Sequence, residues 1–321
     1  MISIISFTNN GEILNKKISE LLRLRGERVR SAHKTDNLGE WTKTAFENSK
    51  AIIFIGAVGM AVRAAAPYVK SKATDPALIC CDELGRFAIP VLSGHIGGAN
   101  ELSQIIAEGI GALSVITTAT DINGVWAVDV WAVKKGYAIE NIENIKYISS
   151  ALLRGEKIGL KGDGEFICDI PKDIITTEPC DRGIVVSPVL DKPFKHTLNI
   201  VPKCIYIGVG SKKNADENAL TELFKEQRIS KNAVLEVATI DIKKEERSVL
   251  RLCEYIGCSL STYGADELQR VEGEFTSSDF VKETVGVDNV CERSAMVKGN
   301  KLLVKKLCGK GVTMAIAQKR G

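Results

Sequence analysis

The sequence predicts a multi-domain α/β protein. A Rossmann-like N-terminal domain on a parallel sheet is expected over residues 1–136, a small β-containing middle domain over 137–203, and an α/β C-terminal domain over 204–321. Three observations lead there. Short β-branched runs alternate with helical patterns through the first half, as βαβ units require. Five of the eight prolines then fall between residues 139 and 203, among short strand-like runs. At Cys204 the alternation resumes. A chain of 321 residues exceeds one ordinary core and suits two or three domains.

In chain order, Ile2–Phe7 reads as a strand and Glu12–Arg25 as a helix, with Ile13, Ile18, Leu21 and Leu22 near a 3.6 period. Arg28–Ala32 is a weaker strand and Leu38–Glu47 an amphipathic helix. Ala51–Ile55 is apolar throughout, as a strand covered on both faces should be. Gly56-Ala-Val-Gly59 turns into a helix that Pro67 ends. Leu78–Cys81 and Phe87–Leu92 are two strands joined by a tight turn, Asn100–Glu108 is a helix, Ser114–Thr118 a buried strand and Val125–Lys135 a helix capped by Gly136. The middle domain offers strand-like runs at 157–161, 165–170, 184–187 and 197–201. The last domain reads as strand Cys204–Val209, helix Ala215–Glu226, strand Val234–Ile242, helix Glu245–Ile256, then strands at 259–263, 302–306 and 312–318.

Composition narrows the function. Forty-three basic and 40 acidic residues leave a net charge of +3. That excess is too small for nucleic acid as main partner, which calls for a strongly basic face. No apolar run approaches the ~20 residues that span a bilayer, and MISIISFTNNGE is not a signal peptide. The chain is expected in the cytoplasm, with no membrane partner. Nine cysteines with no C-x-x-C pair and three scattered histidines argue against a zinc or iron–sulfur site. No metal ligand set and no cofactor are therefore expected, and most thiols should be buried and reduced.

Three loops can carry chemistry: Gly56-Ala-Val-Gly59, Ser93-Gly-His-Ile-Gly-Gly-Ala-Asn100 and Thr117-Thr-Ala-Thr-Asp121. Each follows an apolar strand and precedes a helix. In a parallel sheet all three would lie at the carboxyl edge, where α/β folds bind ligands. Glycines let backbone approach a ligand, and helix N-termini offer N–H groups to anions. Gly56, Gly59, Gly94, Gly97, Gly98, Asn100, Glu101, Thr117, Thr118 and Thr120 are thus substrate-binding candidates, with Arg63 and Lys72 beside them for carboxylates. None of the loops fits a nucleotide motif: there is no G-x-G-x-x-G and no G-x-x-x-x-G-K-[ST].

His95 lies between two glycine clusters rather than on an apolar helix face, which points to chemistry over packing. As a general base it would titrate near neutral pH. Ser93 is a nucleophile only if His95 reaches it, and Asp121 is the acidic candidate of the third loop. Ser211, Lys212 and Lys213 follow a strand and precede a helix, well placed for an anionic ligand. Lys305, Lys306 and Lys310 read as a solvated strand face.

Val62-Arg63, Lys72, Asp75-Pro76, Leu92-Ser-Gly-His-Ile-Gly-Gly-Ala-Asn-Glu-Leu102 and Val115-Ile-Thr-Thr-Ala-Thr-Asp121 together resemble the N-terminal region of the CbiG proteins of cobalamin biosynthesis. Gly208-Val-Gly-Ser-Lys-Lys213 and Lys310-Gly-Val-Thr-Met-Ala-Ile-Ala317 resemble that family's C-terminal domain. One departure stands out: the family usually has Cys where this chain has Ser211, which favours binding over thiol chemistry there.

The resemblance implies a cobalt-precorrin-5A hydrolase. Water opens the δ-lactone of a ring-contracted cobalt tetrapyrrole, and the extruded carbon with its methyl group leaves as acetaldehyde, giving cobalt-precorrin-5B. It implies a substrate that brings its own cobalt. It leaves open a homo-oligomer and transient contact with neighbouring pathway enzymes. A non-catalytic tetrapyrrole carrier would use the same anion-binding loops without needing His95.

Overall fold

The computed structural model describes residues 1–71, 74–278, 283 and 286–319; Lys72 lies outside them. The chain forms two compact units, Met1–Trp131 and Ala132–Gly321. No helix among the described residues is long and apolar enough to cross a membrane.

The first unit is built on six strands: β1 Ile2–Ser6, β2 Val29–His33, β3 Ala51–Ile55, β4 Ala77–Cys81, β5 Phe87–Leu92 and β6 Leu113–Ser114. Their order is β2-β1-β3-β4-β5-β6. The first four are mutually parallel; β5 runs antiparallel to β4, and β6 is parallel to β5. Side chains alternate between two apolar layers, because successive strand residues face opposite ways. Ile4, Ile53 and Ile79 pack with Leu14, Ile18, Leu22 and Ile106 of helices Asn9–Leu24 and Ala99–Ile110. Ile5, Ile52, Phe54 and Leu78 pack with Ala45, Ala61 and Ala65 of helices Leu38–Asn48 and Val58–Ala65.

Three local expectations change. The first helix starts at Asn9, capped by the Thr8 hydroxyl, and turns Leu14 inward while Ile13 stays 69% exposed. Val115–Thr118 leave the sheet after β6 instead of forming a strand. Pro90 on β5 has no N–H to carry that ladder beyond the Val115 N–H to Ala88 carbonyl bond. Residues expected as a strand at 165–170 instead begin within the short helix Gly164–Ile167.

The second unit holds two five-stranded sheets. One contains β7 Ala138–Glu140, β8 Ile158–Gly162, β9 Ile175–Thr176, β10 Arg182–Val186 and β11 His196–Val201, in the order β7-β11-β10-β8-β9, parallel except for β7. The other contains β12 Ile205–Ser211, β13 Val234–Ile240, β14 Ser259–Tyr263, β15 Lys301–Gly309 and β16 Val312–Gln318, in the order β14-β13-β12-β16-β15. Strands β12, β13 and β14 are parallel, whereas β16 is antiparallel to both β12 and β15.

Helix Val290–Met296 lies directly on β12. A side-chain carbon at Gly208 would fall 1.8 Å from the Cys291 carbonyl oxygen and 2.6 Å from the Ala295 nitrogen. Only the absence of a side chain permits that approach, so Gly208 belongs to packing. Gly208→Ala should lower the free energy of unfolding by about 1–3 kcal/mol, the usual cost of overpacking. Gly164→Ala, with open space around the added carbon, should change it by less than about 0.5 kcal/mol. Denaturant titration of both variants checks the difference.

Candidate functional site

The reversal at β5 decides which loops meet. Ile55, before the Gly56–Gly59 loop, pairs with Cys81 at the carboxyl end of β4, whereas Leu92, before Ser93, pairs with Leu78 near its amino end. The Ser93–Asn100 loop therefore sits at the opposite edge of the sheet from Gly56, Gly59 and the exposed Arg63. Since β6 runs with β5, Thr117–Asp121 join the Ser93 loop. The three loops do not share one edge, because the hairpin turn at Asp82–Arg86 inverts the last two strands.

The Ser93–Asn100 loop is closed by its own backbone. Gly98 N–H donates to the His95 carbonyl (2.9 Å), Ala99 N–H to that of Ser93 (3.1 Å) and Asn100 N–H to that of Gly94 (3.0 Å). The N–H of Gly98, a substrate-binding candidate in the sequence reading, is thus occupied. A side chain at Gly97 would meet the Ser93 Cβ at 2.4 Å, so the tight crossing requires glycine there. Ser93 adopts φ +57°, and its hydroxyl donates to the Asp75 carbonyl oxygen at 3.0 Å, not to His95. That bond removes the Ser93–His95 pairing on which a nucleophilic serine depends.

His95 faces two carboxylates. Its Nε2 donates to Asp121 Oδ2 at 2.8 Å and its Nδ1 to Asp129 Oδ2 at 3.2 Å. The Thr120 hydroxyl lies 3.3 Å from Nε2. Buried Asn100 donates through Nδ2 to Asp121 Oδ2 (2.9 Å) and to the Thr118 hydroxyl (3.1 Å). Asp129 is buried, and its Oδ1 accepts the Val130 N–H, whereas the Asp121 side chain is 36% exposed. Thr117 and Glu101 are exposed.

Charge follows from this geometry. The hydrogen bond to Asp129 raises the ring's affinity for its proton, burial opposes it, and Asp121 adds to the rise, placing the His95 pKa at about 9. Burial pushes the Asp129 carboxyl up, but the bond to His95 and its charge outweigh burial and hold it below its ordinary value. Near neutral pH the imidazole carries both protons. The sequence reading makes His95 a base; here both ring nitrogens face carboxylates, Nδ1 that of Asp129 and Nε2 that of Asp121.

Asp129 went unrecognised from sequence, since an acidic residue in a first helical turn is explained by the helix dipole alone.

The second unit contributes a separate cleft of about 790 Å³. It opens at the carboxyl ends of β12 and β13, beside the β15–β16 turn, where ligands of parallel sheets collect. Ser211, Lys212 and Lys213 line it together with Lys243, Lys306 and Lys310. The Ser211 hydroxyl lies 3.0 Å from that of Ser248 and bonds the Lys212 carbonyl. Lys310 pairs with Glu222 and Lys243 with Glu246, whereas Lys212, Lys213 and Lys306 have no carboxylate partner among the described residues. Lys306 and Lys310, read from sequence as a solvated face, belong to the cleft wall; Lys305, exposed beside Lys306 at an irregularity of β15, does not.

Cysteine burial is mixed. Cys80, Cys81, Cys204, Cys253 and Cys291 are buried, while Cys168 and Cys308 are exposed.

The His95 cluster should set part of the pH dependence of stability. Its raised pKa makes the proton stabilising below the unfolded-chain value of about 6.5, and that contribution is lost as pH rises through about 9. Asp129 contributes in the opposite sense: its lowered pKa stabilises above the unfolded value, and the gain is lost in acid as it protonates. His95→Gln should flatten both limbs in thermal melts recorded across pH.

Three family descriptions match successive parts of the chain: cobalamin synthesis G N-terminal over residues 40–121, cobalamin biosynthesis central region over 126–202, and cobalamin synthesis G C-terminus over 205–317. A cobalt-precorrin-5A hydrolase of Salmonella typhimurium is 32% identical, over 98% of this chain and 97% of its own. That of Priestia megaterium is 31% identical over 85% and 79% respectively. A crystal structure described as a cobalamin biosynthesis protein G homolog from Sulfolobus solfataricus aligns with TM-score 0.44 and 25% identity, covering 99% of this chain and 96% of that one. With relatives of this identity along nearly its whole length, the chain belongs to the cobalamin biosynthesis G family.

Proposed function

We propose that this chain opens the δ-lactone of cobalt-precorrin-5A and releases acetaldehyde to give cobalt-precorrin-5B. Family membership and the names of the relatives support a hydrolase of cobalamin biosynthesis. The observation that carries the finer reading is His95 held between Asp121 and Asp129 on a loop closed by its own hydrogen bonds. Lactone opening needs a group to take a proton from water and a group to protonate the departing alkoxide. Both kinds of group stand there in contact. The freed hydroxyl then loses its proton, the carbon–carbon bond breaks, and the macrocycle takes the bonding electrons as acetaldehyde departs. Cobalt enters as part of the substrate, and we propose no resident cofactor.

The cleft of the second unit supplies cations for a tetrapyrrole rich in carboxylates. A carrier without catalysis is the second reading; the observation favouring it is that this lysine-lined cleft needs no His95. Acetaldehyde release from cobalt-precorrin-5A by the purified protein separates the two, since a carrier yields none.

His95→Ala should lower kcat by about 10²–10⁴-fold, the usual loss for a proton-transfer group, with little change in KM. Unchanged turnover in the folded variant would reduce His95 to a loop-ordering residue. Replacing Lys212 and Lys213 together with Gln should raise KM by roughly ten- to a hundredfold, since the partly exposed pair together contributes about 1–3 kcal/mol. Its kcat should move much less, because such contacts exist in ground and transition states alike. An unaltered KM would assign the pair to plain surface.

A further inference from the structure

The two carboxylates on His95 are not equivalent. Asp129 is 5% exposed, and both its oxygens are engaged, Oδ2 by His95 Nδ1 and Oδ1 by the Val130 N–H. Asp121 is open to solvent and takes His95 Nε2 and Asn100 Nδ2 on the same oxygen, Oδ2. Its Oδ1 has no protein partner among the described residues. One carboxylate is therefore enclosed and saturated, while the other has an oxygen available to a water molecule.

We propose that Asp129 is a positioning residue that holds His95 as the site's proton donor and leaves Asp121 as its proton acceptor, an assignment that rests on the lactone-hydrolysis reading above. In the first step a water oxygen bonds the lactone carbonyl carbon while Asp121 Oδ1 takes one of its protons, and the carbonyl electrons move onto oxygen. In the second, that oxyanion re-forms the carbonyl, the ring carbon–oxygen bond breaks, and His95 Nε2 gives its proton to the leaving alkoxide. The products are a carboxylic acid and an alcohol, and the site is left with a protonated Asp121 and a neutral His95. Rotation of the Asp121 carboxyl carries that proton to the position held by Oδ2, 2.8 Å from Nε2, from which it passes to the ring and restores the starting state without an outside donor. Throughout, Asp129 keeps Nδ1–H and fixes the ring plane. The charged groups facing the ring are Asp121, from helix Ala119–Ile122, and Asp129, from helix Val128–Lys134.

Asp129→Asn preserves the shape and the acceptor for Nδ1–H but removes the charge. Two measurements on this variant test the assignment. By NMR, the His95 titration should move from about 9 to lower pH, by about one unit or more. This readout needs no substrate, and the dispersion of the amide signals in the same spectra shows whether the variant is folded. In acetaldehyde-release kinetics, the alkaline limb of kcat should move down with it, while KM stays within about twofold. Asp121→Asn should lower kcat by about 10²–10⁴-fold at every pH. If Asp129→Asn fails to fold, Asp129→Glu, which keeps the charge, should retain the alkaline limb near that of the parent. An alkaline limb that stays put while the His95 titration moves would overturn His95 as donor. Full turnover in Asp121→Asn would overturn the acceptor. A parent protein that releases no acetaldehyde would sink the hydrolytic reading itself, and the NMR titration would still report on Asp129.

Discussion

The antiparallel turn between β4 and β5 is the constraint on which the first unit's site depends. Four parallel strands would send every following loop to one edge. The hairpin at Asp82–Arg86, tied by the Asp82 carboxylate to the Arg86 and Phe87 N–H groups, turns the chain back before the His95 loop is made. In its register buried Ala88 pairs with buried Cys81, and Leu92 with buried Leu78. Pro90 then ends the β5–β6 ladder early and frees the chain after β6, so that Thr118 reaches Asn100 and Thr120 reaches His95. The same reversal leaves Gly56, Gly59 and Arg63 at the far edge, without contact to the cluster.

Electrostatics explains why so small a cluster holds together. A buried carboxylate without a partner costs several kcal/mol, and Asp129 meets that demand with an imidazolium and one backbone N–H. The imidazolium in turn needs negative charge on both sides to remain protonated with its side chain 14% exposed. The trio carries one net negative charge, consistent with four basic and seven acidic residues over positions 51–133. In the second unit, the side chains of Lys212, Lys213 and Lys306 line the cleft with no ion-pair partner among the described residues.

Much of this was legible in the sequence. The strand runs at Ile2–Ser6, Ala51–Ile55 and Ala77–Cys81 are uniformly apolar, and their burial on both faces follows from that pattern. His95 stood out because a histidine between glycine clusters has no packing role. The edge of the sheet was misread although its signal was present: two strands joined by a tight turn must be antiparallel, and that fact inverts every loop after them. Asp129 was illegible for a different reason. Its partner is 34 residues away, and only the reversed strands bring the two together. Lys306 was hidden by local reasoning too, because nothing local separates it from Lys305 until the facing side is known to hold a cleft.

Ser211 shows how the two kinds of site differ in physical demand. The His95 loop needs backbone closure, a crossing that only Gly97 fits and a buried carboxylate, because proton transfer tolerates errors of a few tenths of an ångström. Binding several carboxylates needs only cations around a space of the right size, and flexible lysines adapt to the ligand. A hydroxyl in place of a thiol is therefore tolerable at position 211, where Ser211 bonds Ser248 and a neighbouring carbonyl and steadies the end of β12. The same exchange of a polar group within the His95 trio would leave a buried partner unmatched.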